Sequence, residues 1–191
     1  MDTSDKTVEF IQMKDGTYED YQLLQQYEDE FIAGTADRVL SHLLSLENSM
    51  GGYKVSRLEH ALQCATRAWR DGAGEEMTVA ALLHDIGDHL APENHGELAA
   101  AVLRPYVSER TYWILKHHGV FQGYYFFHHQ GGDRNAREQY RTSEHFQACV
   151  DFCEKWDQSA FDPEYDTLPL EFFDPMVRKI FDREPFGPHT T

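Results

Sequence analysis

The chain has 191 residues, of which 41% are hydrophobic and 26% charged, the composition of a folded domain of ordinary size; this argues against disorder throughout. Seventeen Lys and Arg stand against 33 Asp and Glu, a formal net charge of -16, and a field of that sign repels phosphate backbones and anionic headgroups, so neither a nucleic-acid partner nor a membrane surface is expected. Cys64, Cys149 and Cys153 make no disulfide framework, no apolar run approaches the roughly 20 residues that cross a bilayer, and the opening MDTSDKTVEF lacks a basic-then-apolar leader pattern. The expectation is a soluble protein of the reducing cytoplasm.

Apolar spacing is helical almost everywhere. Thr17 caps a first helix that Gly34 ends, and a second starts near Thr35 with Val39, Leu40, Leu43, Leu44 and Leu46 on one face. Residues 48–53 break the pattern at Gly51-Gly52. Ser56 then caps a helix through Leu58, Leu62, Ala65 and Trp69; the next runs from Glu75 to about Ile86, and a further one from Glu93 to Arg104. Ser108 begins a helix that leads to His117-His118-Gly119, and the aromatic, glycine-rich stretch 121–132 carries no clear period. A long helix is expected from about Thr142 to Asp157, then a loop over 162–169 and a last helix from Phe172 to Phe181. No strand shows clear alternation. The expected fold is all-α, one domain, a helical bundle with short connections.

Polar residues interrupt this apolar frame at telling places. His60 shares a helix face with Cys64; His84 and Asp85 follow Ala81-Leu82-Leu83 at the end of a helix that looks buried. Buried imidazole and carboxylate are costly unless paired or bound to metal. His95 opens a helix, His118 closes another and Asp157 closes the long late one. Four imidazoles and two carboxylates are ligands enough for two divalent ions, and Asp85, with two oxygens, is the natural bridge between cations about 3.5–4 Å apart. His42, His89, His145 and His189 read as solvent-facing or capping. Cys64 and Cys153 read as small buried apolar residues, and Glu59 as a partner that orients the neighbouring imidazole.

Leu58-Glu59-His60, Ala81-Leu82-Leu83-His84-Asp85-Ile86-Gly87, His118 and Asp157 together resemble the HD-domain superfamily of metal-dependent proteins. Within it, the stretch from Leu58 to Ala65 is similar to the small HD-domain mixed-valent diiron oxygenases that cleave organophosphonates, related in fold to myo-inositol oxygenase. The resemblance covers roughly residues 50–160. It implies one iron on His60, His84, Asp85 and Asp157, a second on Asp85, His95 and His118, and O2 as co-substrate. It also implies a mobile tyrosine able to occupy the second iron, for which Tyr53 is the candidate; Tyr53 and Asp85 are thus the expected catalytic residues. Most HD proteins are phosphohydrolases, and hydrolysis of a small phosphate ester or nucleotide is the alternative; a silent binding module is a third.

The resemblance also frames the substrate end. Asp88 stands where the family has a histidine, Gln122 where it has a phosphonate-binding lysine and Glu154 where it has an arginine. Asp88, Glu154 and the run Tyr124-Tyr125-Phe126-Phe127 would suit a substrate carrying a cation, since aromatic faces and carboxylates attract quaternary ammonium. The implied substrate is a small phosphonate, 1-hydroxy-2-(trimethylammonio)ethylphosphonate, converted to glycine betaine and phosphate. Lys116, His128, His129, Arg134, Arg137, Arg141 and Lys155 are available to its phosphonate, with Lys116, Arg141 and Lys155 joining Asp88, Gln122 and Tyr124 as the expected substrate contacts.

Overall fold

A computed structural model describes residues 6–190, and every regular element in them is helical, as the apolar spacing implies. The chain parts into two compact units between Val39 and Leu40. In the first, a short 3-10 turn at Met13–Asp15 precedes α1 (Tyr18–Ala33). Thr17 caps α1 reciprocally: its hydroxyl accepts from the Asp20 N–H at 3.2 Å while the Asp20 carboxylate accepts from the Thr17 N–H at 2.9 Å. Gly34 ends the helix, and α2 (Thr35–Ser45) begins in the first unit and ends in the second.

The second unit carries the candidate ligands. Its helices are α3 (Arg57–Arg70), α4 (Glu75–Leu83), α5 (His95–Leu103), α6 (Glu109–Phe126), α7 (Phe146–Phe152) and α8 (Leu170–Phe181). α3 starts where the hydroxyl of Ser56 accepts from the Glu59 N–H at 3.0 Å, and α6 where Ser108 caps Thr111. Met77 to Leu83 on α4 are all buried, so α4 is the central rod, and its apolar surface all round is what such a position requires. α3 and α8 pack on it, α5 lies along α6, and Phe121, Phe152, Phe173 and Leu82 fill the interior. No helix of the described residues is long and apolar enough to cross a membrane.

Three expected boundaries differ. α6 does not stop at Gly119 but runs on to Phe126, absorbing part of the aromatic stretch, before a 3-10 turn at Phe127–Gln130. α4 ends at Leu83, leaving His84 and Asp85 in the turn that follows. The long late helix begins only at Phe146, and its last turn, Cys153–Asp157, is a π-helix closed by the Gln158 N–H on the Cys153 carbonyl at 3.0 Å. Such wide turns accompany functional sites because they re-aim the side chains they carry; this one carries Asp157.

Candidate metal centre

Each expected ligand arrives on a different piece of the second unit. α3 brings His60, the turn after α4 brings His84 and Asp85, α5 opens on His95, the middle of α6 carries His118 and the π-helical turn carries Asp157. Close backbone approach makes this possible at two glycines. A Cβ at Gly87 would collide with the His95 carbonyl oxygen, and one at Gly96 would lie 2.9 Å from that of Leu115 and 3.1 Å from the His118 ring. Any side chain there would push α5 off the centre.

The six residues converge. Asp85 divides its two oxygens between two imidazole pairs: Oδ2 lies 3.3 Å from His60 Nε2 and 3.1 Å from His84 Nε2, while Oδ1 lies 3.2 Å from His118 Nε2 and 3.4 Å from His95 Nε2. Asp157 Oδ1 joins the first pair, 3.4 Å from His60 and 3.7 Å from His84. His60, His84, Asp85, His118 and Asp157 are all at most 3% exposed.

The back of each ring identifies what its front needs. His60 Nδ1 donates to the Ala160 carbonyl at 3.0 Å, His84 Nδ1 to that of Ala81 at 2.7 Å, His118 Nδ1 to that of Leu115 at 2.7 Å and His95 Nδ1 to that of Pro92 at 3.3 Å. A carbonyl only accepts, so each Nδ1 carries hydrogen and the neutral ring turns its Nε2 lone pair inward. Those lone pairs then face one another, His60 against His84 at 3.1 Å and His95 against His118 at 3.2 Å, among carboxylate oxygens. Lone pairs this close call for a cation between them, a proton or a metal ion.

Electrostatics say the same. Burial works against a protonated His84, but Asp85 and Asp157 outweigh it and hold the ring well above its ordinary pKa; His60 is raised likewise by Asp157 and Asp85. Burial would raise the Asp85 carboxyl, yet His84 and Arg57 hold it well below the usual range, and His60 and His84 do the same for Asp157. Asp157 Oδ2 and Gln122 Oε1 are buried with no hydrogen-bond partner. This surplus of inward lone pairs, of the nitrogen and oxygen types that bind first-row divalent ions, fits a metal: His60, His84 and Asp157, then His84, Asp85 and His118, then Asp85, Asp88 and His95 form groups able to hold an ion.

Comparison with known protein families and with curated proteins returned no match. What the centre does is therefore read from its own geometry.

The expected accessory residues scatter. Asp88 is beside the centre, but its charge is met by the Arg57 Nε at 2.7 Å, so it makes no open acidic wall, and Glu154 is exposed. Gln122 donates from Nε2 to Asp157 Oδ1 at 3.1 Å. Tyr53 is 52% exposed and stacks on Phe161, which stacks in turn on His60, with ring centroids 4.8 and 4.3 Å apart. Tyr124 carries the guanidinium groups of Arg137 and Arg134 at 3.8 and 4.3 Å. Arg141 pairs with Glu138 at 2.7 Å and Lys155 with Asp151 at 2.9 Å, both at the surface. His128 and His129 are exposed and stand against each other, ring centroids 4.0 Å apart.

Two expectations are corrected outright. Glu59 does not orient an imidazole: its carboxylate accepts from Gln63 at 3.1 Å and Thr167 at 2.6 Å, and backbone carbonyls hold the rings instead. His42 does not face solvent but is half-buried, its Nε2 3.0 Å from the Ile86 carbonyl on the turn that carries His84 and Asp85. Cys64 and Cys153 are buried, and burial pushes both thiols well up, which fits packing and not nucleophilic attack.

Arg57 was not among the expected site residues, although its place one turn before His60 on α3 puts both on one face. It is 7% exposed and pairs with both Asp85 and Asp88.

A cavity of about 700 Å³ opens beside His95, lined by Glu93, Glu97, Lys116, His117, Phe126, Phe127 and Tyr140 among others. Only Lys116 of the expected substrate contacts borders it.

Proposed function

We propose that the chain is an HD-type diiron oxygenase that uses O2 to cleave the C–P bond of an α-hydroxy phosphonate. The favoured substrate carries a quaternary ammonium group, as in 1-hydroxy-2-(trimethylammonio)ethylphosphonate, and yields glycine betaine and phosphate. The observation that carries this reading is the arrangement around Asp85, whose oxygens face separate imidazole pairs. His60, His84, Asp157 and Asp85 Oδ2 would hold one iron; His95, His118 and Asp85 Oδ1 would hold the second.

Two irons so bound would supply the Lewis acidity and one-electron redox chemistry that O2-dependent C–P cleavage requires. The residues of the chain do the rest. His60, His84, Asp85, His118 and Asp157 seal one side of the centre from water, while His95, 26% exposed at its side chain, gives onto the cavity, so substrate approaches from that side. Burial holds His117 below its ordinary pKa and hence neutral at pH 7, which leaves Lys116 as the cation in the cavity wall for the phosphonate. Phe126, Phe127 and Tyr140 offer ring faces, and Glu93 and Glu97 carboxylates, to the ammonium end. Three free, buried cysteines suit the reducing cytoplasm as the place of work.

Metal analysis with low-temperature EPR on protein purified with ascorbate tests the reading. Two irons per chain and an S = 1/2 mixed-valence signal are expected. Redox-silent metal with turnover of generic phosphate esters would transfer the centre to the phosphohydrolases.

A further inference from the structure

The two halves of the centre are not held equally. The rings of His60, His84 and His118 are buried and anchored through Nδ1 at 2.7–3.0 Å, whereas His95 is 26% exposed and its Nδ1 lies 3.3 Å from the Pro92 carbonyl. His95 has one further support: Asp88 Oδ1 lies 3.4 Å from the same Nδ1. Asp88 is itself fixed by Arg57, whose Nε donates to Asp88 Oδ2 at 2.7 Å while Nη2 donates to Asp85 Oδ2. One planar guanidinium thus ties down both carboxylates. It fixes which way Asp85 turns its Oδ1, and, through Asp88, which way His95 turns its Nε2.

We propose that Arg57 is a positioning residue that governs occupancy of the His95–His118 half of the centre, through a relay from Arg57 to Asp88 to His95 and through its grip on Asp85. The proposal rests on the two-ion reading above and adds to it an order: the half built on His60, His84 and Asp157 fills first and tightly, the His95–His118 half second and only while the relay is intact. Arg57 carries its positive charge throughout, because a guanidinium is not deprotonated in proteins. It also balances carboxylate charge that would otherwise oppose closing the metal-free site. A lysine cannot replace it, since a point ammonium does not reach two carboxylates in fixed directions as a planar fork does.

The test is calorimetric titration of the metal-free chain with Zn(II), with circular dichroism to confirm folding, for wild type, Arg57→Gln, Arg57→Lys and Asp88→Asn. Wild type is expected to take up two ions with unequal affinities. In the variants the tighter ion stays and the weaker one loses about 10–100-fold in affinity, the usual effect of removing a group that orients a ligand; Arg57→Lys does not rescue. Asp88→Asn removes a half-buried charge and keeps a single acceptor oxygen, so it must release either Arg57 or His95 and remains informative should Arg57→Gln fail to fold. Folded variants that bind two ions as wild type does overturn the proposal, and so do folded variants that lose both ions equally, which would make Arg57 merely structural. A wild-type chain that takes up one ion overturns the two-ion reading and this proposal together.

Discussion

Filling the centre with a divalent ion should displace a proton, and the stability of the protein should show it. In the metal-free chain the His60 and His84 nitrogens lie 3.1 Å apart, each with its other nitrogen committed to a carbonyl, so a shared proton must separate them. Folding raises both pKa values, His84 well above its ordinary value. The stability this contributes is complete below the unfolded value of about 6.5 and is lost as pH rises through the folded one. An ion has to expel that proton, so binding strengthens with pH by about 1.4 kcal/mol per unit for each proton released. Between pH 6 and pH 8 this is at most about 2.7 kcal/mol, a ceiling of roughly a hundredfold in affinity that is reached only while the metal-free pair keeps its proton. For a chain of this size that ceiling corresponds to about 5–11 °C in Tm. The assay is thermal unfolding at both pH values, with and without a fixed concentration of free Zn(II). A metal-induced rise in Tm that is equal at pH 6 and pH 8 would refute the lone-pair argument.

Other outcomes follow from named contacts. Gly96→Ala places a Cβ 2.9 Å from the Leu115 carbonyl oxygen, a backbone atom that cannot swing aside; it should cost about 1–3 kcal/mol in urea unfolding and reduce bound metal by parting His95 from His118. Glu76 accepts from the Ser108 N–H at 3.0 Å, the Ser108 hydroxyl at 2.7 Å and the Thr111 hydroxyl at 2.8 Å, and it pairs with Arg183. Burial would raise its carboxyl, but Arg183 and Ser108 lower it, so its stabilisation is present above the unfolded pKa and lost as pH falls through the folded one. Glu76→Gln should therefore cost about 1–2 kcal/mol at pH 7 and flatten the acid limb of the stability profile below about pH 4.5. On the proposed function, Lys116→Met should raise KM for the phosphonate substrate about tenfold with kcat little changed, the signature of lost uniform binding in steady-state kinetics.

Much of this architecture can be read from the chain itself, for reasons that differ by residue. Ser56, Ser108 and Thr17 announce helix starts because their side-chain oxygens have one obvious use there, and Asp20 completes the signature at Thr17. His84 and Asp85 stand out because no apolar helix end tolerates them without partners. The π-helical turn is silent: widening one turn by a residue leaves Cys149, Cys153 and Trp156 at spacings that an α-helix also allows. Gly119 looks like a stop, yet α6 passes through it, because tertiary packing along α5 outweighs the local preference of one glycine. Arg57 hides for another reason. An arginine in the first turn of a helix ordinarily reaches water, and only the meeting of α3 with the turn after α4 buries it between Asp85 and Asp88.

The ligands are far apart along the chain: 24 residues separate His60 from His84, and a further 33 separate Asp85 from His118. With its three cysteines free, the second unit has no covalent staple. An ion at this centre would take that part, knotting α3, α5, α6 and the turn at Asp157 into one closed set of loops. Unravelling any one strand of the knot would forfeit the ion, so its binding free energy becomes folding free energy for the whole unit, and chelation should loosen the unit all at once and not piece by piece.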